Sequence, residues 1–223
     1  MPHIGNDIVD LDLPDNLEKI RDRRFLDRVF SDSERNFIEQ HQDHGNDVLW
    51  ALWAAKESAY KALSKGMPDI PSTPRRYRVV FSVLAPDGTD SSDGQVQKTG
   101  PNKDSIWTGN VKTPAGNVFC QALLTPDYVH CLAVTGGCLQ EKRMISQVLK
   151  WNEQQDPSVT LRRAVIQRIA DTALLNSSAI EIKRHSTPKG LGPPCVFVHN
   201  QPSTIDISLS HDGRYGAFAF WRN

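Results

Sequence analysis

The chain has 223 residues, and its 26 lysine and arginine side chains are balanced by 26 aspartate and glutamate side chains. This zero net charge excludes the global basic field of a nucleic-acid-binding or membrane-surface protein, so a charged partner has to be met by a local patch. The four cysteines have neither the paired spacing of a zinc site nor the density of a disulfide scaffold, and no apolar run is long enough to span a membrane. We therefore expect a soluble, cytoplasmic protein with a hydrophobic core of its own.

The N-terminal part of the chain is predicted to form one strand followed by helices. Residues 3–13, HIGNDIVDLDL, have the apolar pattern of a short strand. An amphipathic helical region covers residues 15–40, and Ser31 followed by Glu34 is the capping box that starts a second helix near residue 32. A long helix is predicted over residues 47–65.

The pattern changes from helical to extended after residue 76. Four β-type runs follow, separated by Pro, Gly and Asp turns: RRYRVVFSVLA, SIWTGNVKT, NVFCQALLT and YVHCLAVTGG. Between the first two runs, residues 86–104 form a polar, glycine-rich hairpin or loop insertion. A linking helix is predicted over 139–154 and an amphipathic helix over 157–175, and strands then return in AIEIKRH, CVFVHN and IDISLSHDGRYGAFAFW.

Helices followed by strands therefore occur twice along the chain. This order predicts an α+β fold of two related lobes, each with helices packed on a small antiparallel sheet. The N-terminal lobe covers residues 1–137, and the shorter C-terminal lobe covers residues 138–223.

The long helix carries charged residues although little of its surface is left for water. With about 100° per residue, Lys56 in WAAKESAYKAL (53–63) projects near the centre of the apolar stripe, while Glu57 and Lys61 share a neighbouring face. A buried charge needs a partner, an ion or a ligand. A structural ion pair, a lysine that snorkels to solvent and a ligand site all meet this requirement.

A second acidic group is predicted to face the interior. Strand alternation puts Asp7 on the inner face, opposite Asp10. Asp7 and Glu57 then point inward from two elements, and Mg²⁺, which takes few protein carboxylates and keeps water or phosphate ligands, relieves the repulsion of such a pair. Lys56 and Lys61 would complement the phosphate oxygens. A structural ionic cluster is the alternative.

Two further groups have the chemistry to bind phosphate. Ser210 and His211 end a predicted strand beside a turn, where the histidine can reach a ligand. Lys189 lies in the tight loop TPKGLGPP (187–194). A structural histidine and a solvated turn lysine are the alternatives. The chain has no glycine-rich phosphate loop and no GxGxxG after a strand, so nucleotide binding of those kinds is not expected.

Four stretches of the chain resemble motifs of the 4'-phosphopantetheinyl transferase superfamily. IGNDIVDL is similar to its first metal motif, and FLDRVFSDSE to the segment after the first helix of the holo-acyl-carrier-protein synthase group. WAAKESAYKAL is similar to its lysine–glutamate helix, and ISLSHDGRYGAFAF to its serine–histidine strand. The resemblance implies the fold of that family, here with two synthase-like lobes in one chain, as a monomeric pseudo-dimer or a small homo-oligomer.

The activity that this resemblance implies is Mg²⁺-dependent transfer of the phosphopantetheine arm of coenzyme A to a serine of an apo acyl or peptidyl carrier protein, with release of 3',5'-ADP. Asp7 and Glu57 would be the metal ligands, and Glu57 and Lys61 the catalytic residues, with Glu57 acting as a base through a water. A wider set would contact the coenzyme: Lys56, Lys61, Lys189, Ser210 and His211. The loop at Lys189 reads Pro-Lys-Gly where the family often has Gly-Lys-Pro.

A basic ridge is predicted where the carrier protein would dock. Arg21, Arg24 and Arg28 recur at helical spacing in EKIRDRRFLDR (18–28), and acyl carrier proteins present an acidic helix. A solvated helix face is the alternative. Two other functions stay open: a non-catalytic carrier-binding module of the same fold, and a metal-dependent phosphohydrolase acting on coenzyme A.

Overall fold

A computed structural model of the chain describes residues 2–41, 44–83, 104–137, 144–152, 154–187 and 190–222. The helices in these ranges are α1 (Arg23–Val29), α2 (Asp32–Gln40), α3 (Gly45–Gly66) and α4 (Pro157–Ala173). The strands are β1 (Ile4–Asp10), β2 (Arg78–Val83), β3 (Ser105–Thr113), β4 (Gly116–Leu124), β5 (Tyr128–Thr135), β6 (Ile145–Lys150), β7 (Ile180–Thr187), β8 (Gly190–Val198), β9 (Gln201–Pro202), β10 (Ile205–Asp212) and β11 (Tyr215–Arg222). Every strand pairing within these ranges is antiparallel, which agrees with the predicted α+β class. Within the described ranges, no helix has the length and apolar character to cross a membrane.

The N-terminal part is a five-stranded sheet with α3 packed on one face. Its strand order is β1-β5-β4-β3-β2. The long predicted helix is confirmed as α3, and Leu49 and Leu52 on it are buried in the core. A Cβ added to Gly5 would lie 1.9 Å from the main-chain oxygen of Ser58, so only glycine lets β1 run this close to α3.

The capping box at the start of α2 is confirmed. The Ser31 hydroxyl accepts a hydrogen bond from the main-chain N–H of Glu34, and the Glu34 carboxylate accepts one from the N–H of Ser31 at 2.8 Å. Glu34 is buried and also accepts from the N–H of Val79 at 2.8 Å. The cap therefore ties α2 to the edge strand β2 as well as starting the helix.

The prediction of a linking helix over 139–154 is wrong for the residues that the structure describes there. Ile145–Lys150 form β6, which pairs with β11, with Ile145 opposite Phe220 and Lys150 opposite Tyr215. The apolar residues of this short run have helix-like spacing, and periodicity alone does not separate a short helix from a strand. The open backbone edge of β11 offers hydrogen-bond partners, and these favour the strand.

The C-terminal part contains two small sheets, β10-β11-β6 and β7-β8-β9. The predicted helix over 157–175 is confirmed as α4, whose buried residues Leu161, Val165 and Ile169 pack in one cluster with Phe218 of β11. Its first strand, β6, pairs with its last, β11, just as β1 pairs with β5 in the larger sheet. In both places, the first strand of the part pairs with its last strand.

The two parts meet where β10 runs parallel to the free edge of β1. Alternate N–H groups of β1 donate to side-chain oxygens of β10, and not to its main chain. The four hydrogen bonds are Ile4 N to Asp206 Oδ2 (2.6 Å), Asn6 N to Ser208 Oγ (2.8 Å), Ile8 N to Ser210 Oγ (3.3 Å) and Asp10 N to Asp212 Oδ2 (3.0 Å). We call this set the side-chain ladder. It satisfies the edge N–H groups of β1 and determines which residues of β10 stand beside Asp7.

Both faces of β1 are buried, so the solvent face expected at Asp10 does not exist. Asp10 is only 1% exposed, and Arg214 donates to its two carboxylate oxygens from Nη2 at 2.6 Å and from Nε at 2.9 Å. Burial acts to raise the pKa of Asp10, but the hydrogen bonds from Arg214 outweigh it, and the pKa lies below its ordinary value. The alternation rule failed here because the C-terminal part covers the second face of the strand.

Candidate active site

Asp7 lies in the middle of β1 and faces α3. Its Oδ1 atom accepts hydrogen bonds from Lys61 Nζ and from the Ser210 hydroxyl, both at 2.7 Å. Lys61 Nζ also donates to the main-chain oxygen of Asn6 at 3.1 Å and to Ser210 Oγ at 3.2 Å. The structure therefore brings together three of the predicted site residues, one each from β1, α3 and β10.

Glu57 lies one turn before Lys61 on α3 and is mostly buried. Burial and, next, the negative charge of Asp7 raise the pKa of Glu57 to about 7, while the positive charge of Lys61 opposes them. An effect of Asp7 on this carboxyl group requires the two acids to be near each other. Glu57 can therefore gain or lose a proton near neutral pH, as a general base must.

The two acids fit a magnesium ion by the chemistry of their oxygen atoms. Mg²⁺ binds through one or two carboxylates, keeps several waters and takes its remaining ligands from substrate phosphates. Burial is the larger cause of the raised pKa of Glu57, and repulsion by Asp7 adds to it; a divalent cation would remove that repulsion. Within the described residues, no three histidine, cysteine or carboxylate side chains converge as a metal cluster, so an all-protein cage of the calcium type is not built here.

A cavity of about 340 Å³ lies beside Asp7, between the two parts of the molecule. Its lining residues are Asp7, Lys61, Ser158, Leu161, Arg162, Arg184, Pro194, Leu209, Ser210 and His211. His211 is exposed at the end of β10, and its ring centre lies 6.4 Å from that of Trp151. Four predicted site residues thus share one cavity. Glu57 is not among its lining residues, but its carboxyl group is close enough to Asp7 to be affected by the charge of Asp7.

Sequence reasoning missed two arginines in the cavity wall. Arg162 on α4 donates from Nη1 to the hydroxyl of Ser158 at 2.7 Å, and Arg184 on β7 donates from Nε to the main-chain oxygen of Gly192 at 2.7 Å. In the sequence, Arg162 has the pattern of a solvated position on an amphipathic helix and Arg184 that of a solvated position on a strand. No local sequence signal marks either residue as part of a site. Their guanidinium groups, together with Lys61, make this wall suited to phosphate oxygens.

Lys56 lies outside the cavity. It is 1% exposed, its Nζ atom is 2.8 Å from Glu34 Oε1, and it also donates to the main-chain oxygens of Pro74 and Tyr77. Burial lowers the pKa of Lys56, and the charge of Glu34 opposes this shift. Of the three roles considered for Lys56, the structure therefore favours the structural ion pair. A lysine side chain held in this position does not reach the cavity, so it does not make the expected contact with ligand phosphates.

The predicted arginine ridge is interrupted. The Asp22 side chain accepts from the N–H of Phe25 and begins α1, so Arg21 belongs to a separate 3₁₀ turn before the helix. Arg24 and Arg28 do lie one turn apart on α1, and both are exposed, without an ion-pair partner in the ranges that the structure describes.

Arg21 lies instead at a second cavity, of about 350 Å³, between α1 and α2. Arg23 and Arg35 also line it, over an apolar floor that includes Leu26 and Ile38. The basic surface therefore has two parts, the exposed face of α1 and this groove.

Two predicted features lie outside the described residues. One is Lys189, and the other is the insertion over 86–104, of which only the last residue is described.

A comparison with models of protein families finds a match for the N-terminal part of the chain. The model described as 4'-phosphopantetheinyl transferase superfamily matches residues 3–131, which is more than half of the chain. The match contains Asp7, Glu57 and Lys61 and ends within β5, so the residues that α4, β7 and β10 contribute to the cavity lie beyond it. No curated protein sequence matches the chain.

Proposed function

Because the chain belongs to the 4'-phosphopantetheinyl transferase superfamily, we propose that it transfers the phosphopantetheine arm of coenzyme A to a serine of an apo acyl or peptidyl carrier protein and releases 3',5'-ADP. The observation that carries this proposal is the meeting of Asp7 and Lys61 with Ser210 and His211 at one cavity. The first two residues lie in the matched segment and the last two do not, yet hydrogen bonds join Ser210 to both Asp7 and Lys61, and His211 lines the same cavity.

The charges around Asp7 suit attack of a serine on the β-phosphorus of the coenzyme. As the serine oxygen bonds to phosphorus and the bond to the departing 3',5'-ADP breaks, negative charge builds on the pyrophosphate. Asp7 and Glu57 would hold Mg²⁺, which when bound supplies charge neutralisation there. Lys61, held by Asp7 and Ser210, places an ammonium group at the same point. Glu57 is the candidate to accept the serine proton through a water.

The other wall of the cavity suits the nucleotide end of the coenzyme. Arg162, Arg184 and His211 line it, and guanidinium and imidazole groups bind phosphate oxygens. A volume of about 340 Å³ is within the usual range of small-molecule sites. We assign these three residues to the coenzyme phosphates.

The same proposal includes a pseudo-dimer of two lobes, divided between residues 137 and 138. It is supported by the matching relations of β1 to β5 and of β6 to β11, and by one long helix packed in each part. Because one chain supplies both walls of the cavity, a second copy is not needed to complete the site.

The exposed arginines of α1 are the proposed carrier contact. Arg24 and Arg28 have no ion-pair partner in the described ranges, so an acidic helix can approach them without displacing one. Charged residues of this kind act mainly on the rate of encounter and on the choice of partner.

The test is incubation of the protein with coenzyme A, Mg²⁺ and an apo carrier protein, followed by intact mass spectrometry. A carrier heavier by one phosphopantetheine group supports the transferase. Cleavage of coenzyme A without carrier modification means a phosphohydrolase, and carrier binding with neither product means a non-catalytic module. Asp7→Asn should abolish transfer while the fold is kept, and Asp15→Asn, which removes an exposed carboxylate nearby in the chain, should not.

A further inference from the structure

Two polar side chains lie in the apolar contact of β1 and β5 with β11, which we call the seam. Asn6 on β1 is fully buried and His130 on β5 is 5% exposed. Three of their atoms make no hydrogen bond to any described protein group: Asn6 Nδ2, Asn6 Oδ1 and His130 Nε2. Buried polar groups in folded proteins are nearly always paired, so these three atoms call for a partner.

The strand register puts the two side chains on the same face. Asn6 lies opposite Leu132 and His130 lies opposite Ile8, so Asn6 and His130 are diagonal neighbours across β1 and β5. The Cα atoms of such neighbours are about 7 to 8 Å apart. Two hydrogen bonds of about 2.8 Å through one water oxygen match the gap between side chains at that spacing.

Small side chains of β11 lie against this part of the seam. Ala217 of β11 packs in a cluster with Ile8, and Ala219 packs in a cluster with Ile4 and Leu132. Alanine methyl groups neither donate nor accept hydrogen bonds, and they leave more room than the larger apolar residues found elsewhere in the seam. The position is therefore polar on one side, apolar on the other and closed to bulk solvent.

We propose that the seam contains a binding site for ordered water, in which one or two water molecules bridge the Asn6 amide and His130 Nε2. Folded proteins commonly hold internal waters of this kind, each with about three hydrogen bonds to otherwise unpaired groups. Burial lowers the pKa of His130 to about 4, so the ring is neutral at neutral pH and its Nε2 either donates to or accepts from a water.

The water site lies behind the catalytic surface. The N–H of Asn6 donates to Ser208 Oγ at 2.8 Å, and its carbonyl accepts from Lys61 Nζ at 3.1 Å. The residue whose side chain binds the water thus contacts the side-chain ladder and the site lysine through its main chain. The inference does not depend on the proposed activity, since it rests on packing at the seam.

A crystal structure of the unaltered protein at about 1.5 Å resolution or better tests the site directly. The expected result is electron density for a water within about 3.2 Å of the Asn6 amide and of His130 Nε2. A direct hydrogen bond between Asn6 and His130, or close packing with no such density, would overturn the proposal.

Thermal unfolding of apolar variants gives an independent test. The change in melting temperature should have one sign if water bridges the pair and the opposite sign if the atoms are dry and unpaired. If water bridges the pair, Asn6→Leu and His130→Leu should each lower the melting temperature, and the double variant should lower it by less than the sum of the two. If the atoms are dry and unpaired, each single variant should raise the melting temperature, and that result would refute the site. Gln147→Leu, an exposed position on β6, is the control for adding an apolar side chain.

Discussion

Glu57→Gln is expected to stabilise the metal-free protein at alkaline pH, although it removes a residue of the proposed site. Burial and the charge of Asp7 both disfavour the ionised form of Glu57, which is why its pKa rises to about 7. A neutral amide of the same shape avoids that penalty. Functional residues often carry a cost in stability of this kind.

The magnitude follows from the pKa difference between the folded and the unfolded chain. The pKa of Glu57 rises from 4.5 to about 7 on folding, and at about 1.4 kcal/mol per unit this amounts to about 3 kcal/mol. Below pH 4.5 the carboxyl is protonated in both states, so the wild type carries no penalty there. Stability is then lost as the pH rises through 7, so the advantage of the variant should grow by about 2 to 3 kcal/mol between pH 5 and pH 8.

Urea unfolding in the presence of a chelator at pH 5 and pH 8 measures this difference. Glu39→Gln is the matched control, because Glu39 is an exposed glutamate on α2. The reasoning is refuted if the gap between Glu57→Gln and the wild type is the same at both pH values, or if the variant is less stable than the wild type at pH 8. Added Mg²⁺ and coenzyme A should stabilise the wild type and leave the variant unchanged.

Three further variants test other parts of the structure. Lys56→Met should destabilise the protein by about 3 to 5 kcal/mol, because its partner carboxylate is then buried without a counter-charge; a loss under about 1 kcal/mol in urea unfolding would contradict the buried ion pair. Arg162→Ala should raise KM for coenzyme A about tenfold with little change in kcat, whereas Arg163→Ala, on the exposed face of the same helix, should not; equal KM values would remove Arg162 from the coenzyme site. Arg24→Glu combined with Arg28→Glu should raise KM for the carrier and leave coenzyme binding unchanged, and unaltered carrier kinetics would exclude this face of α1 from docking.

Local signals were enough to predict much of the N-terminal part. The capping box at Ser31, the long helix α3 and the strands β2 to β5 all follow from neighbours in the chain, because caps, stripes and turns are local interactions. The same reasoning left the partner of Lys56 open. It turned out to be Glu34, the residue of that capping box, whose carboxylate serves the helix end and the lysine together.

The parts that sequence reasoning missed depend on contacts between distant segments. β6 is a strand because β11 has an open edge beside it, and Asp10 is buried because the C-terminal part covers β1. Arg162 and Arg184 reach the cavity only through that same packing. None of these outcomes is encoded in the few residues around each position, so periodicity and motif spacing could not reveal them.

The side-chain ladder has a consequence for how the protein is made. Each acceptor of the ladder follows its β1 donor by 202 residues, so the N–H groups on this edge stay unpaired until β10 has been synthesised. An exposed strand edge is a template for pairing with other chains. A nascent chain that stalls before β10 therefore exposes the unpaired edge of β1 and is prone to aggregate with other chains. A chaperone that shields this edge would protect the nascent chain.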